Sequence, residues 1–223
     1  MRTLKQRPVG AWQGVRMRRM LAAADPESAP RLVALPTGWD DAAAAALAAL
    51  SPGRAPVGLT AAAEAWIGPL CADAPALAER LRLLLIARRA APGRAVWRGE
   101  RAGAAGFVLN LAAFHDPAAG FDAAGFSAAA ATAVEALGRF GAAAATVGFA
   151  DLAGLLAALG LDYEGAAARA LAAEIAQRLR AALGGAARAV VAPPGPAEAL
   201  LGVETGGIAP AFSPLDDRGR LTR

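Results

Sequence analysis

Runs of consecutive alanines recur along the chain, at 42–46, 128–131 and 142–145. Alanine has the highest helix propensity and loses no side-chain entropy on folding, so these runs favour helices. Alanine also buries little apolar area, which leaves the sparser Leu, Val, Phe and Trp residues to build the core. We therefore expect a mainly α fold of closely packed helices with a few short strands, in the broad α+β class.

The 223 residues suffice for one sizeable domain. Six basic residues precede the first acid, Asp25, so we expect a basic N-terminal arm over residues 1–30 and a single alanine-rich domain over residues 31–223. Apolar patterns between turn signals predict strands at 31–36, 95–97, 106–111 and 187–192. Helical periodicity and stop signals predict helices ending at Leu50 and covering 60–67, 75–90, 122–140, 149–159 and 164–183.

Composition excludes several classes of protein. No segment reaches the ~18 uninterrupted apolar residues that a membrane-spanning helix needs, and no signal peptide is evident. A single cysteine, Cys71, gives no disulfide framework, and with one histidine, His115, a dedicated metal site is not expected. We expect a cytoplasmic protein with no membrane partner. His115 beside Asp116 could act as a base, but we favour a surface role for it and a buried or incidental thiol for Cys71.

Three later segments carry the most distinctive patterns: 107–116 (FVLNLAAFHD), 147–156 (VGFADLAGLL) and 192–212 (APPGPAEALLGVETGGIAPAF). In this order they resemble segments of the large catalytic subunit of ribonucleotide reductases, especially the adenosylcobalamin-dependent class and reductase-like proteins of the TSCPD type. The family strings are INLARFVD, GLGVMGLADLL and APTGTISLLAGVSSGIEPVFA. The resemblance covers about residues 95–223, and residues 31–94 form an unmatched helical part.

The resemblance implies a set of substrate or phosphate-binding positions and no catalytic residue. The family's radical cysteine lies on a loop just before the first segment, and the corresponding stretch here, 92–106, contains no cysteine. A single cysteine cannot supply the radical and redox thiols together, and 223 residues cannot close a ten-stranded barrel. The binding positions implied by the resemblance are Asn110, Pro194, Gly195, Pro196, Ala197 and Gly207.

Three functions remain open. The first is a non-catalytic reductase-like protein, a pseudoenzyme that acts by binding a nucleotide, a reductase subunit or another protein, with no cofactor. The second is one piece of a split or truncated adenosylcobalamin-dependent ribonucleoside-diphosphate reductase, with adenosylcobalamin as its cofactor. The third is a basic nucleic-acid-binding accessory protein, which rests only on the N-terminal basic run and is the least favoured. We favour the first.

Overall fold

Two β-sheets and the helices that pack on them organise the chain. The structure, a computed structural model, describes residues 10–191 and 195–210. The helices are α1 (Asp41–Leu50), α2 (Leu59–Leu70), α3 (Pro75–Ile86), α4 (Arg94–Arg98), α5 (Ala123–Phe140), α6 (Leu152–Ala158), α7 (Ala166–Leu183) and α8 (Pro196–Leu200), with 3₁₀ turns at Gly10–Trp12 and Leu111–Phe114. The strands are β1 (Met17–Ala22), β2 (Arg31–Pro36), β3 (Val57–Gly58), β4 (Ala90–Pro92), β5 (Ala104–Asn110), β6 (His115–Asp116), β7 (Gly120–Phe121), β8 (Ala144–Ala150) and β9 (Arg188–Val191).

The first sheet has the order β1-β2-β3, with β1 antiparallel to β2 and β3 parallel to it. Strand β2 confirms the prediction at 31–36. Strand β1, however, lies inside the stretch that we expected to be a solvated arm. Within it, Arg18 forms an ion pair with Asp41 at 2.7 Å and donates to the carbonyl of Trp39 at 2.7 Å. Residues 17–22 are therefore part of the folded sheet, because pairing with β2 satisfies their backbone groups.

Helix α1 begins and ends where the sequence predicts. The carboxylate of Asp40 accepts a hydrogen bond from the backbone N–H of Ala43 at 2.7 Å, which caps the helix. At the other end, the buried guanidinium of Arg31 donates to the carbonyls of Ala48 at 2.6 Å and Ser51 at 3.0 Å. These bonds satisfy carbonyls that no residue inside the helix can reach.

The second sheet has the order β4-β5-β8-β9, with β5, β8 and β9 mutually parallel and β4 antiparallel at one edge. Helix α5 connects β5 to β8, and α6 and α7 connect β8 to β9, as parallel pairing requires. Helices α5 and α7 pack against each other and on one face of this sheet, while α8 packs on α1 and against β4 and β5. The parallel strands place the residues that follow β5 and β8 at the same edge.

The helix predicted over 75–90 ends at Ile86, and Ala90 lies in strand β4. Two further local predictions are wrong. Residues 95–97, predicted as a strand, lie in helix α4, where the indole N–H of Trp97 donates to the carbonyl of Pro92 at 2.9 Å and closes the turn. Residues 149–150, predicted as helical, end strand β8, and the helix that follows begins at Leu152. In both places a few apolar residues fit the apolar spacing of a helix as well as that of a strand. Tertiary contacts decide which of the two forms.

The core is one cluster of buried apolar side chains that extends from Trp12 to Leu201. Its aromatic members pack edge to face: the ring centroids of Trp66 and Trp97 are 5.9 Å apart, and those of Phe114 and Phe126 are 5.5 Å apart. The described part of the chain forms a mixed fold of helices and strands with no closed barrel. Both kinds of element were expected, but the strands are more extensive than predicted. None of the described helices is both long and apolar enough to cross a bilayer.

Candidate functional site

The predicted binding positions fall into two places on the four-stranded sheet. Asn110 ends strand β5, and Gly207 lies in the loop that crosses above it. Gly195, Pro196 and Ala197 form the start of α8 and line a cavity beside the sheet. Pro194 lies outside the described residues. The structure thus brings the predicted residues onto one sheet but at two distinct sites.

The first site is a polar cluster at the carboxyl edge of the parallel strands, and Asn110 is one of its centres. This side chain is buried, its amide Nδ2 donates to the carbonyl of Leu201 at 3.0 Å, and its Oδ1 accepts from the backbone N–H of Ala112 at 3.1 Å. Asn110 therefore ties the loop after α8 to the end of β5.

Asp151 is the second centre of this cluster and follows directly on β8. Its backbone is left-handed, with φ 64° and ψ 41°, and its side chain is buried. The carboxylate accepts from the hydroxyl of Thr205 at 3.1 Å and from its backbone N–H at 3.3 Å, while the N–H of Asp151 donates to the carbonyl of Thr205 at 2.9 Å. Burial raises the pKa of Asp151, and the hydrogen bonds from Thr205 offset part of that rise.

Gly207 completes the cluster, because its carbonyl accepts from the backbone N–H of Leu152 at 3.4 Å. The carboxyl edge of a parallel sheet is the usual ligand position in α/β folds. Here residues 201–207 cover it, and the polar groups of Asn110 and Asp151 bond to that loop. We therefore interpret this cluster as a clamp that holds the loop, and we call it the edge clamp.

The second site is a cavity of about 230 Å³ between α8, α4 and the sheet. Its walls are mainly apolar, and two charged side chains interrupt them. The lining residues are Leu50, Gly93, Arg94, Gly106, Phe107, Val108, Thr146, Val190, Gly195, Pro196, Ala197 and Glu198. We call it the α8 cavity.

Glu198 is one of those charged side chains. It lies in the first turn of α8 and is only 5% exposed, and its Oε1 has no hydrogen-bond partner among the residues that the structure describes. Burial raises the pKa of Glu198, and the backbone N–H groups of Glu198 and Gly195 counter only part of the rise. A buried carboxylate oxygen without a donor is energetically costly and rare in folded proteins.

Arg94 is the other charged side chain, and it is exposed. It donates to the carbonyl of Ala49 at 3.4 Å, close to the end of α1. A guanidinium has five N–H donors, so this bond leaves most of them available. Within the part of the chain that the structure describes, Arg94 and Glu198 form no ion pair with each other.

The remaining candidates from the sequence lie elsewhere. Cys71 is buried at the end of α2, as expected, and burial raises the pKa of its thiol. The carboxylate of Asp116, next to His115, accepts from the backbone N–H groups of Ala118 and Ala119 at 2.8 and 2.9 Å, so it organises the turn between β6 and β7. Across residues 10–191 and 195–210, no three His, Cys, Asp or Glu side chains are grouped so that they could hold a metal ion.

Four site residues were not selected by sequence reasoning: Asp151, Thr205, Arg94 and Glu198. An acid between an apolar strand and a helix, as Asp151 is, can indicate a residue at a sheet edge, but here the strand itself was not predicted. Nothing in the sequence pairs Asp151 with Thr205, which is 54 residues away. Comparisons of the chain with known protein families, with curated proteins and with solved structures find no match.

Proposed function

We propose that this protein acts by binding a small ligand in the α8 cavity, as a non-catalytic relative of the ribonucleotide reductase large subunit, with nucleotides as the first ligands to test. The observation that carries the proposal is the state of the polar groups in that cavity. Among residues 10–191 and 195–210, Oε1 of the buried Glu198 carboxylate has no donor and the guanidinium of Arg94 has no acidic partner. A ligand that hydrogen-bonds to both side chains would gain the hydrogen-bond free energy that neither side chain obtains from the protein.

The mutual packing of the three reductase-like segments supports the same proposal. Strands β5 and β8 are parallel neighbours, and the register pairs Asn110 with Ala150. The segment after α8 bonds to Asn110 and to Asp151. Segments that resemble one family in sequence and also contact one another in space are what a shared ancestral fold would produce.

The non-catalytic part of the proposal rests on chemistry that the chain would need. The stretch 92–106, where the resemblance places the radical-bearing loop, contains no cysteine and folds into α4 and the start of β5. Cys71 lies at the end of α2 and does not line the α8 cavity. The buried position of Cys71 and its raised pKa disfavour a reactive thiolate.

The test is calorimetric titration with ADP, CDP, dATP and adenosylcobalamin. We expect micromolar binding of at least one nucleotide to the wild type. Val190→Phe places a ring into the α8 cavity and should weaken that binding by about tenfold or more, because each 1.4 kcal/mol of lost contact is tenfold in affinity. Val191→Phe is the matched control, since Val191 is the next residue of β9, 53% exposed and not part of the cavity lining.

Two outcomes would count against the proposal. If none of these compounds binds, the protein is not a nucleotide-binding relative of the reductases. If one binds and Val190→Phe leaves its affinity unchanged, the ligand occupies another site. Heat from adenosylcobalamin alone would instead favour the split-enzyme alternative.

A further inference from the structure

The charges of the α8 cavity restrict the kind of ligand that it can hold, and this deduction rests on the proposed function. Glu198 is central because its carboxylate is nearly inaccessible to water, at 5% exposure. Removing an ionised carboxylate from water costs several kcal/mol unless donors replace the lost hydration. The described part of the chain provides no hydrogen-bond donor for Oε1.

A capping role for Glu198 accounts for only part of its environment. The residue is the third of α8, after the N-cap Gly195, where a glutamate can accept from the backbone N–H of the N-cap residue. The N–H groups of Gly195 and Glu198 do lower the pKa of Glu198, but burial outweighs them. Oε1 has no partner among these N–H groups, so capping does not explain why a carboxylate occupies this wall.

The rest of the cavity lining is mainly apolar, and its two charged side chains differ in their exposure to solvent. Leu50, Phe107, Val108, Val190 and Pro196 supply apolar surface to the same lining as the two charged side chains. Arg94 is exposed while Glu198 is buried, so the positive side chain is open to solvent and the negative side chain is not. An anion next to Glu198 would be repelled in a region of low dielectric, whereas a cation or a strong N–H donor would be attracted.

We propose that the α8 cavity selects a small ligand with a protonated amine or amidine directed at Glu198, an apolar body along the sheet, and an anionic group directed at Arg94. Glu198 is then the specificity-determining residue. The volume of about 230 Å³ is below the roughly 300–1,000 Å³ of typical ligand pockets, which limits the part that enters to about one ring with its substituents. A phosphate group does not occupy the inner wall beside Glu198.

A set of probes on one skeleton tests this selectivity with the wild-type protein. The probes are benzylamine, benzyl alcohol, benzoate, 4-(aminomethyl)benzoate and inorganic phosphate, titrated at neutral pH. The backbone amide signals of Gly195, Ala197 and Glu198 are followed by NMR. We expect benzylamine to bind about tenfold more tightly than benzyl alcohol, since a charge-assisted hydrogen bond replaces a neutral one. The zwitterion 4-(aminomethyl)benzoate should bind more tightly still, benzoate should bind more weakly than the zwitterion, and phosphate should not shift these signals.

Two variants assign the selectivity to its residues. Glu198→Leu retains the apolar volume and should abolish the preference for benzylamine over benzyl alcohol, while Glu100→Leu, at an exposed position outside the cavity, should retain it. Arg94→Met should reduce the affinity for the zwitterion to that for benzylamine. Thermal melts of each variant confirm that it is folded, and the comparison of probes on the wild type needs no variant.

Equal affinities of benzylamine and benzyl alcohol, or phosphate-induced shifts at residues 195–198, would overturn the inference. If nucleotides shift the cavity signals through their phosphate while the amines do not, only the selectivity is wrong and the proposed function stands. If neither nucleotides nor amines shift any cavity signal, both proposals are wrong.

Discussion

The edge clamp and the α8 cavity lie on the same sheet and both contain a buried carboxylate, but the two carboxylates differ in what surrounds them. Asp151 in the edge clamp accepts two hydrogen bonds from Thr205. Oε1 of Glu198 in the α8 cavity accepts no hydrogen bond from any residue in the described ranges. Burial raises the pKa of both groups, so burial alone does not separate them.

The difference in hydrogen bonding indicates a structural role for Asp151 and a ligand-binding role for Glu198. A polar group that the chain itself satisfies contributes to stability, and its removal leaves donors unpaired. A polar group that the chain buries and leaves unsatisfied costs stability, and a bound water, ion or ligand is one way in which its bonding is completed. Mutations in the edge clamp should therefore destabilise the protein, whereas mutations in the α8 cavity should change binding and leave stability nearly unchanged.

The largest expected effect is that of Asp151→Ala. It should lower the free energy of unfolding by about 3 kcal/mol, because two donors of Thr205 lose their acceptor and alanine is strained at positive φ. Asp151→Asn is the control, since asparagine tolerates the left-handed region and retains one acceptor oxygen. Urea unfolding measures the free energy of unfolding of both variants. An alanine variant as stable as the asparagine variant would show that the edge clamp does not stabilise the fold.

Asn110→Ala should have the next largest effect, a loss of about 2 kcal/mol. The carbonyl of Leu201 and the N–H of Ala112 both lose their partner in a buried environment. Hydrogen exchange of the amides in 201–207 should accelerate in parallel, because the loop loses an anchor to β5. Unchanged exchange in that loop would contradict the role that we assign to Asn110.

Thr205→Val should cost about 1 kcal/mol, since it removes one hydroxyl donor to Asp151 and keeps the side-chain shape. Combined with Asp151→Asn, it gives a double-mutant cycle for the clamp. We expect the two changes to be coupled, with a combined loss that differs from the sum of the single losses. Strict additivity would indicate that the contact between the two side chains contributes no stability of its own.

The smallest effect on stability should come from Glu198→Leu, within about 1 kcal/mol of wild type, because an apolar residue of similar size replaces a poorly satisfied charge. Its pH dependence sharpens the comparison. The raised pKa of Glu198 means that its contribution to stability is fully present below its ordinary value of 4.5 and is lost as pH rises through the folded-state value.

The leucine variant should accordingly gain stability relative to wild type as the pH is raised from about 4 to about 8. Urea unfolding at several pH values measures this gain, and Glu100→Leu is the control for a general change in charge. A stability difference between Glu198→Leu and wild type that stays constant with pH would mean that Glu198 titrates in the folded protein as it does in the unfolded chain.

The elements that sequence reasoning predicted well are those whose signals are local. The N-cap Asp40, the helix-starting Pro75 and the C-cap Gly184 mark helix ends through their own backbone and side-chain chemistry. Strand β8 escaped prediction because residues 144–150 include alanines and a glycine, which carry little strand preference of their own. Hydrogen bonding to β5 on one side and β9 on the other outweighs that local preference.

Some residues of the two candidate sites could be selected from the sequence because their signals are local. Asn110 and the start of α8 were found through their resemblance to a family, and the charge of Glu198 was evident in the sequence. The hydrogen-bond partner of Asn110 was not evident, since Leu201 is 91 positions away. Nor was it evident that Arg94 and Glu198, over a hundred positions apart, line the same cavity. Contacts at such separations depend on how the sheet is assembled.

By itself, the sequence determined that helices would be the main elements of this fold, where several of them would begin or end, and that one thiol would supply no disulfide. These features follow from the chemistry of single residues and their near neighbours. Only the tertiary structure decided that the carboxylate of Asp151 would be satisfied and that of Glu198 would not. The physical reason is that the bonding of a buried charge depends on the groups that long-range packing brings within about 3 Å of it.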